Sequence, residues 1–341
     1  NTGAKTSDAF VVEDIFTVLV LVLLLVSLVS LPIIAGPEWK PAGDEEPTWR
    51  ILGLLGATIG LPYFLLSTTG PLVQAWFART YPAGTVYRLF ALSNFASLLA
   101  LMSYPFVLEP WITTLRQSLG WSVGYGLFVG FCIASAIYSL RAQPVSVPAA
   151  TTIRTMNDGP PPTIAHFIQW LLLSAMGSFM LLAITNHITH DVASVPFLWI
   201  LPLTLYLLTF ILCFEGRGWY KRSVFLGPML VALFAAGLFL CCMFFHGELA
   251  NLKPAPRYLT SFYLMVSLGG ALGGVTVGFI APRVFATYYE FGIGLIVTLL
   301  LALYVVRRMP FLVSLIVIGC TGFSAYNVYH YMDSLSGNAL V

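Results

Sequence analysis

Charge is what this sequence has least of. Asp, Glu, Lys and Arg together make up 9% of its 341 residues, where a soluble domain carries about 25%. An ordinary water-facing shell is thereby excluded. An excess of positive charge is also missing. Lys and Arg number 16 against 14 Asp and Glu, a net of +2, which leaves no electrostatic footprint for nucleic acid. The five cysteines, Cys132, Cys213, Cys241, Cys242 and Cys320, sit inside apolar runs without ligand spacing. They read as small packing residues, which removes a disulfide or zinc framework. Strand alternation is lacking, which removes a β-barrel. There is no Walker loop, no GxGxxG after a strand, no GxSxG elbow and no HExxH helix, so no nucleotide, hydrolase or zincin site is assigned.

What is present is apolar: 58% hydrophobic residues and a mean hydropathy of +0.88. That is a multi-pass membrane protein with the lipid bilayer as its first partner. Backbone groups in lipid must pair internally, so the spans are helices. A span needs about 20 apolar residues. The fold expected is an all-α transmembrane bundle of about ten spans, near 14–35, 51–68, 85–107, 121–141, 166–186, 196–214, 223–245, 259–281, 287–306 and 309–327. Glu13 and Asp14 precede the first run where a signal peptide would carry basic residues, so it reads as a true span. Asn1 in place of Met is expected to reflect processing or cropping. The Pro-rich stretch 143–163 is the expected link between two membrane halves, 1–142 and 164–331, followed by a polar tail, 332–341. Helix–helix connections usually run about 2–8 residues, and this one is far longer. With the N-terminus inside, basic residues lean nine to seven toward the cytoplasm, which puts both termini of a ten-span bundle on that side.

The stretch Phe245–Pro282 is the one around which the rest of the chain is read. That stretch opens on His246, Glu248, Lys253 and Arg257, expected in a loop between spans. It then runs into Gly269, Gly270, Gly273, Gly274 and Gly278. Glycines four apart make a smooth helical stripe that a neighbouring backbone can approach. Gly270–Gly274–Gly278 is expected to face another helix, and the Gly269–Gly278 face is a candidate oligomer or partner contact. Span two runs on through Gly70-Pro71. Either the helix breaks there and frees backbone that must face protein or water, or it ends at Thr69 and a short interfacial helix follows with Trp76 at the headgroups.

His187, His190 and Asp191 lie in one connection and His246 and Glu248 in another. Both connections are expected on one membrane face, within about 8 Å of each other, close enough for direct or water-bridged contact. Imidazole with carboxylate suits a borderline divalent ion. The alternative is a hydrogen-bonded clasp with no metal, and no other cofactor is expected. TGPLVQAW with YRLFALSNFASLLA and HGELANLK with FYLMVSLGGALGG form an internal echo. It is either a pair of inverted pseudo-repeats or chance likeness between apolar helices.

The blocks GLPYFLLSTTGPLVQAWFART, YRLFALSNFASLLALMSYPFVLEP, TNHITHDVASVPFLWILPLTLYLLTF and HGELANLKPAPRYLTSFYLMVSLGGALGG resemble the membrane portion of the fused major-facilitator/spermidine-synthase-like proteins of bacteria. The resemblance covers roughly residues 30–310. It implies extra N-terminal spans and a C-terminal aminopropyltransferase-like domain, neither visible here, so no catalytic residue is assigned. No Gly-x-x-x-Asp-Arg loop of the major-facilitator type is present. What the resemblance implies is binding or transport of a small cationic or amine solute. Glu248, Asp191 and Glu109 would supply negative charge, and Asn94, Gln74 and Asn186 would orient the solute beside Arg257. The alternatives are a non-transporting membrane anchor or assembly scaffold for an aminopropyltransferase-like domain or a larger complex, and an intramembrane or interfacial metalloenzyme.

Overall fold

The computed structural model describes residues 17–34, 36, 39, 47–80, 86–141, 161–191, 197–215, 219–221, 224–225, 234–285, 289–306 and 326. Among them every regular element is helical: α1 (Thr17–Ser30), α2 (Pro47–Leu55), α3 (Leu61–Thr80), α4 (Tyr87–Ser103), α5 (Thr114–Arg141), α6 (Ile164–Asp191), α7 (Phe197–Glu215), α8 (Phe234–Asn251), α9 (Leu259–Val275), α10 (Ala281–Val284) and α11 (Tyr289–Val306). Among the described residues six helical runs are long and apolar enough to cross a membrane, and α1 and α11 are shorter apolar helices. The expected tenth span, 309–327, falls almost wholly outside the described residues.

Three prolines are accommodated by widened turns. Pro62 follows a π-helical turn at Gly56–Gly60, Pro105 lies inside one at Tyr104–Leu108, and Pro282 follows one at Thr276–Ile280. A proline has no N–H to give the preceding turn. A wide turn re-pairs the backbone one residue further on, as in Glu109 N–H to Tyr104 O at 2.9 Å. Pro71 is different. Both readings of Gly70-Pro71 are overturned, because α3 passes through it unbroken. Just before it, the Ser67, Thr68 and Thr69 hydroxyls donate to the carbonyls of Phe64, Leu65 and Leu66. Hydroxyls of this kind help a membrane helix tolerate a proline.

The chain divides into two units. The first holds residues through Val86 together with Ser103–Met156. Its core repeats at helical spacing: Val20 and Leu24 of α1, Leu65, Leu72 and Trp76 of α3, and Tyr125, Val129, Cys132 and Ala136 of α5. Trp76, expected at the headgroups, is buried here and donates to Thr17 Oγ at 3.3 Å. Ser27 donates to Leu24 O, so its hydroxyl oxygen accepts from Tyr125 at 2.7 Å. The other side of α5 is just as apolar yet exposed: Val123 65%, Leu127 61% and Phe131 72%. A helix apolar all round, with one face bare, is built for lipid.

The second unit holds Tyr87–Met102 and the residues from Asn157 onward. The Pro-rich link had been expected to leave α4 in the first half. It packs instead in the second unit, where Phe90 meets Phe210, Phe214 and Tyr263 with ring centroids 4.9–5.4 Å apart. Helix α6 is the centre of this unit, in contact with α7, α8, α9 and α11. Its approach to α9 is set by Gly269 and Gly273. A Cβ on Gly269 would run into Leu171 O and come within 2.9 Å of Ser174 Cβ, and one on Gly273 would run into Ala175 O and come within 2.9 Å of Phe179 N. Ser174 Oγ crosses the same seam to Val266 O at 2.5 Å. The stripe expected to face a helix, Gly270–Gly274–Gly278, is the looser one. A Cβ on Gly270 would have Ser178 Oγ of α6 at 3.4 Å and one on Gly274 would have Leu182 Cδ1 of α6 at 3.9 Å, so these two face α6 as expected, while one on Gly278 would meet nothing within 4 Å among the described residues. The residues one position earlier in the register take the seam because α6 lies on their side of α9.

Candidate functional site

His246 and Glu248 were expected in a loop. Both lie inside α8, fully or nearly buried. The FFHGELAN segment keeps a helical path because it is walled on several sides. Phe210 stacks on the imidazole at 3.6 Å, and Tyr206 meets it edge-on at 4.8 Å. Gly177 of α6 leaves room for the ring, since a Cβ there would lie 2.9 Å from His246 Nε2. On the other side, the Tyr220 ring covers Gly247, and its hydroxyl donates to Glu248 Oε1 at 2.7 Å. A phenol proton on a buried carboxylate offsets part of the cost of taking the charge out of water.

The tautomer of His246 follows from its neighbours. Thr209 Oγ gives its proton to Tyr206 O at 2.7 Å, so toward His246 Nδ1, at 2.8 Å, it accepts. The proton therefore sits on Nδ1. Nε2 carries a bare lone pair, is buried and has no hydrogen-bond partner among the described residues. Such a group is uncommon in a folded core, and an ionisable residue among membrane helices is a functional candidate.

An aromatic run leads from this imidazole toward the α8–α9 connection. Phe210 neighbours Phe214 at 5.8 Å, and Phe90 touches both. At its far end the half-buried Lys253 ammonium rests over the Phe214 ring at 4.3 Å and the Tyr87 ring at 5.0 Å. Burial pushes Lys253 down to about 8.

Most of the other expected site residues lie elsewhere. His187 stacks on Phe291 of α11 at 5.3 Å. His246 sits at the level of Gly177, ten residues earlier on α6, or about 15 Å at 1.5 Å per residue. Glu248 lies further still, because Leu252 O accepts from Trp170 Nε1 at 3.1 Å. The expected meeting of His187 with His246 and Glu248 is therefore corrected: the second group is part of a helix packed along α6, not a loop at its end. The side chains of His190, Asp191 and Arg257 lie outside those described. Among the described residues no three His, Cys, Asp or Glu groups gather to hold a metal ion. Asn94 turns its amide to its own helix, at Phe90 O, 2.9 Å away. Glu109 is exposed in the first unit, and Asn186 is half-buried on α6. Gln74 is buried in the first unit, its Oε1 without a partner among the described residues.

Sequence reasoning missed Thr209, Tyr206, Phe210, Phe214 and Tyr87. On α7 apolar residues occupy every face, so no periodicity separates rings that face the site from rings that face lipid. The nearest signal was the density of ionisable residues from His246 to Arg257. No protein family, no curated protein and no solved structure matches this chain.

Proposed function

We propose that this chain is a multi-pass inner-membrane protein of about ten spans in two pseudo-repeated halves, and that its second unit binds or moves a small amine-bearing cation. The observation that carries this reading is the aromatic run with an ammonium already on it, Lys253 over Phe214 and Tyr87. Aromatic faces attract cations by about 0.5–2 kcal/mol each, more when water is excluded. The run ends on His246 Nε2, an acceptor in need of a donor. The buried carboxylate of Glu248 adds the negative charge that an incoming cation requires. The resemblance to the fused spermidine-synthase-like proteins supports amines of the polyamine kind as the solute class.

The test is uptake of labelled 1,4-diaminobutane and spermidine by proteoliposomes. Saturable uptake that falls at least tenfold in Glu248→Gln supports the reading. Absence of both uptake and binding by the folded wild type overturns it.

A second reading, a scaffold without transport, is favoured by a different observation. Gly120, Gly124, Gly126 and Gly130 on α5, and Gly278 beyond α9, would meet nothing within 4 Å among the described residues if given a Cβ. Small open positions of this kind let another helix approach closely. A change in assembly size on Gly126→Leu, with no amine uptake by either protein, supports the scaffold.

A further inference from the structure

We propose that the slot between the Tyr87 and Phe214 rings is an amine-binding site in which Lys253 is a tethered occupant, displaced when a solute ammonium enters. The proposal rests on the amine reading above and makes it specific to one place.

The two rings do not depend on the lysine for their positions. Tyr87 is fixed by its hydroxyl, which donates to Pro254 O at 2.7 Å, and by Phe262 and Tyr263 at centroid distances of 6.2 and 6.5 Å. Phe214 is 2% exposed and held between Phe90 at 4.9 Å and Phe210 at 5.8 Å. Removing the lysine side chain would leave the slot standing, which is the preorganisation a binding site needs.

The backbone around Lys253 is clamped on both sides. Leu252 O accepts from Trp170 and Pro254 O accepts from Tyr87. The side chain is the part that is free to leave. Its ammonium meets the faces of two rings, and among the described residues no carboxylate pairs with it. A stem of four methylenes ending in an ammonium is itself a model of an alkylamine. The ligand class is therefore a primary or quaternary alkylammonium, recognised through its charge and the faces of two rings.

Two measurements on the full chain in detergent test this. In the first, Lys253 of the wild type is acetylated with an N-hydroxysuccinimide ester and followed by mass spectrometry. Tetramethylammonium chloride should raise its rate at least threefold, while equal sodium chloride should not, and exposed Lys221 should keep its rate. In the second, Lys253→Ala should bind n-butylammonium at least tenfold more tightly than the wild type. Neutral n-butanol should show no such gain, and Phe214→Leu on the alanine background should abolish it. Unchanged acetylation overturns the proposal even if the alanine variant does not fold. Equal gains for butanol and butylammonium also overturn it, because the slot is then only an apolar cavity. If Lys253→Ala takes up amines as the wild type does without a gain in affinity, the occupant falls and the amine function stands. If neither protein binds any amine, both fall.

Discussion

The Nδ1 atom of His246 lies 2.8 Å from Thr209 Oγ, and the hydroxyl proton is already committed to Tyr206 O. One threonine thereby sets which imidazole nitrogen holds the proton and leaves the other as a buried acceptor. Replacing Thr209 with Val should strand the Nδ1–H. The expected cost is about 1–3 kcal/mol, read as a lower midpoint in SDS or urea unfolding. Thr209→Ser keeps the oxygen and should recover most of it.

The glycines of α9 should rank by what a Cβ would meet. Gly273→Ala drives a methyl against the backbone of Ala175 and Phe179 and should cost about 1–3 kcal/mol. Gly278→Ala meets nothing and should be neutral or stabilise by up to about 1 kcal/mol. Equal effects at both positions in thermal unfolding would contradict the α6–α9 seam described above.

Phe131 is 72% exposed and its neighbour Cys132 is 4% exposed. With Cys320 changed to Ser, a lipid-soluble maleimide should label Phe131→Cys in membranes and spare the native Cys132, while a charged maleimide should label neither. Labelling of Phe131→Cys by the charged reagent would place that face of α5 in water.

Lys253 should make stability rise with pH. Burial holds its folded-state value at about 8, below the ordinary 10.5. Between these values the unfolded chain binds more protons than the folded one, so unfolding free energy increases as pH rises through that window. Below about 8 both states carry the charge and the slope vanishes. The slope of unfolding midpoint between pH 8 and 10.5 should flatten in Lys253→Met, which keeps an unbranched stem over the rings and removes the charge.

Composition alone determined the class of this protein. With so little charge and long apolar runs, only a helical membrane bundle satisfies the backbone, and several expected spans coincide closely with helices: 85–107 with α4 and its wide turn, 166–186 with α6, 196–214 with α7. Sequence also marked His246 and Glu248 as unusual, since an ionisable residue beside an apolar run is costly wherever it lies. What it could not supply was which faces meet. Gly269 and Gly270 are equivalent as letters, and only the position of α6 decides that the first meets its backbone and the second only the Ser174 and Ser178 hydroxyls. His187 and His246 looked close because both were read as loop residues. Whether a helix stops at such a residue depends on the walls around it, here Phe210, Tyr206 and Gly177. In a chain apolar on every face, hydrophobic periodicity carries little information about inside and outside. Tertiary packing therefore decided the aromatic run, the tautomer of His246 and the resting place of Lys253.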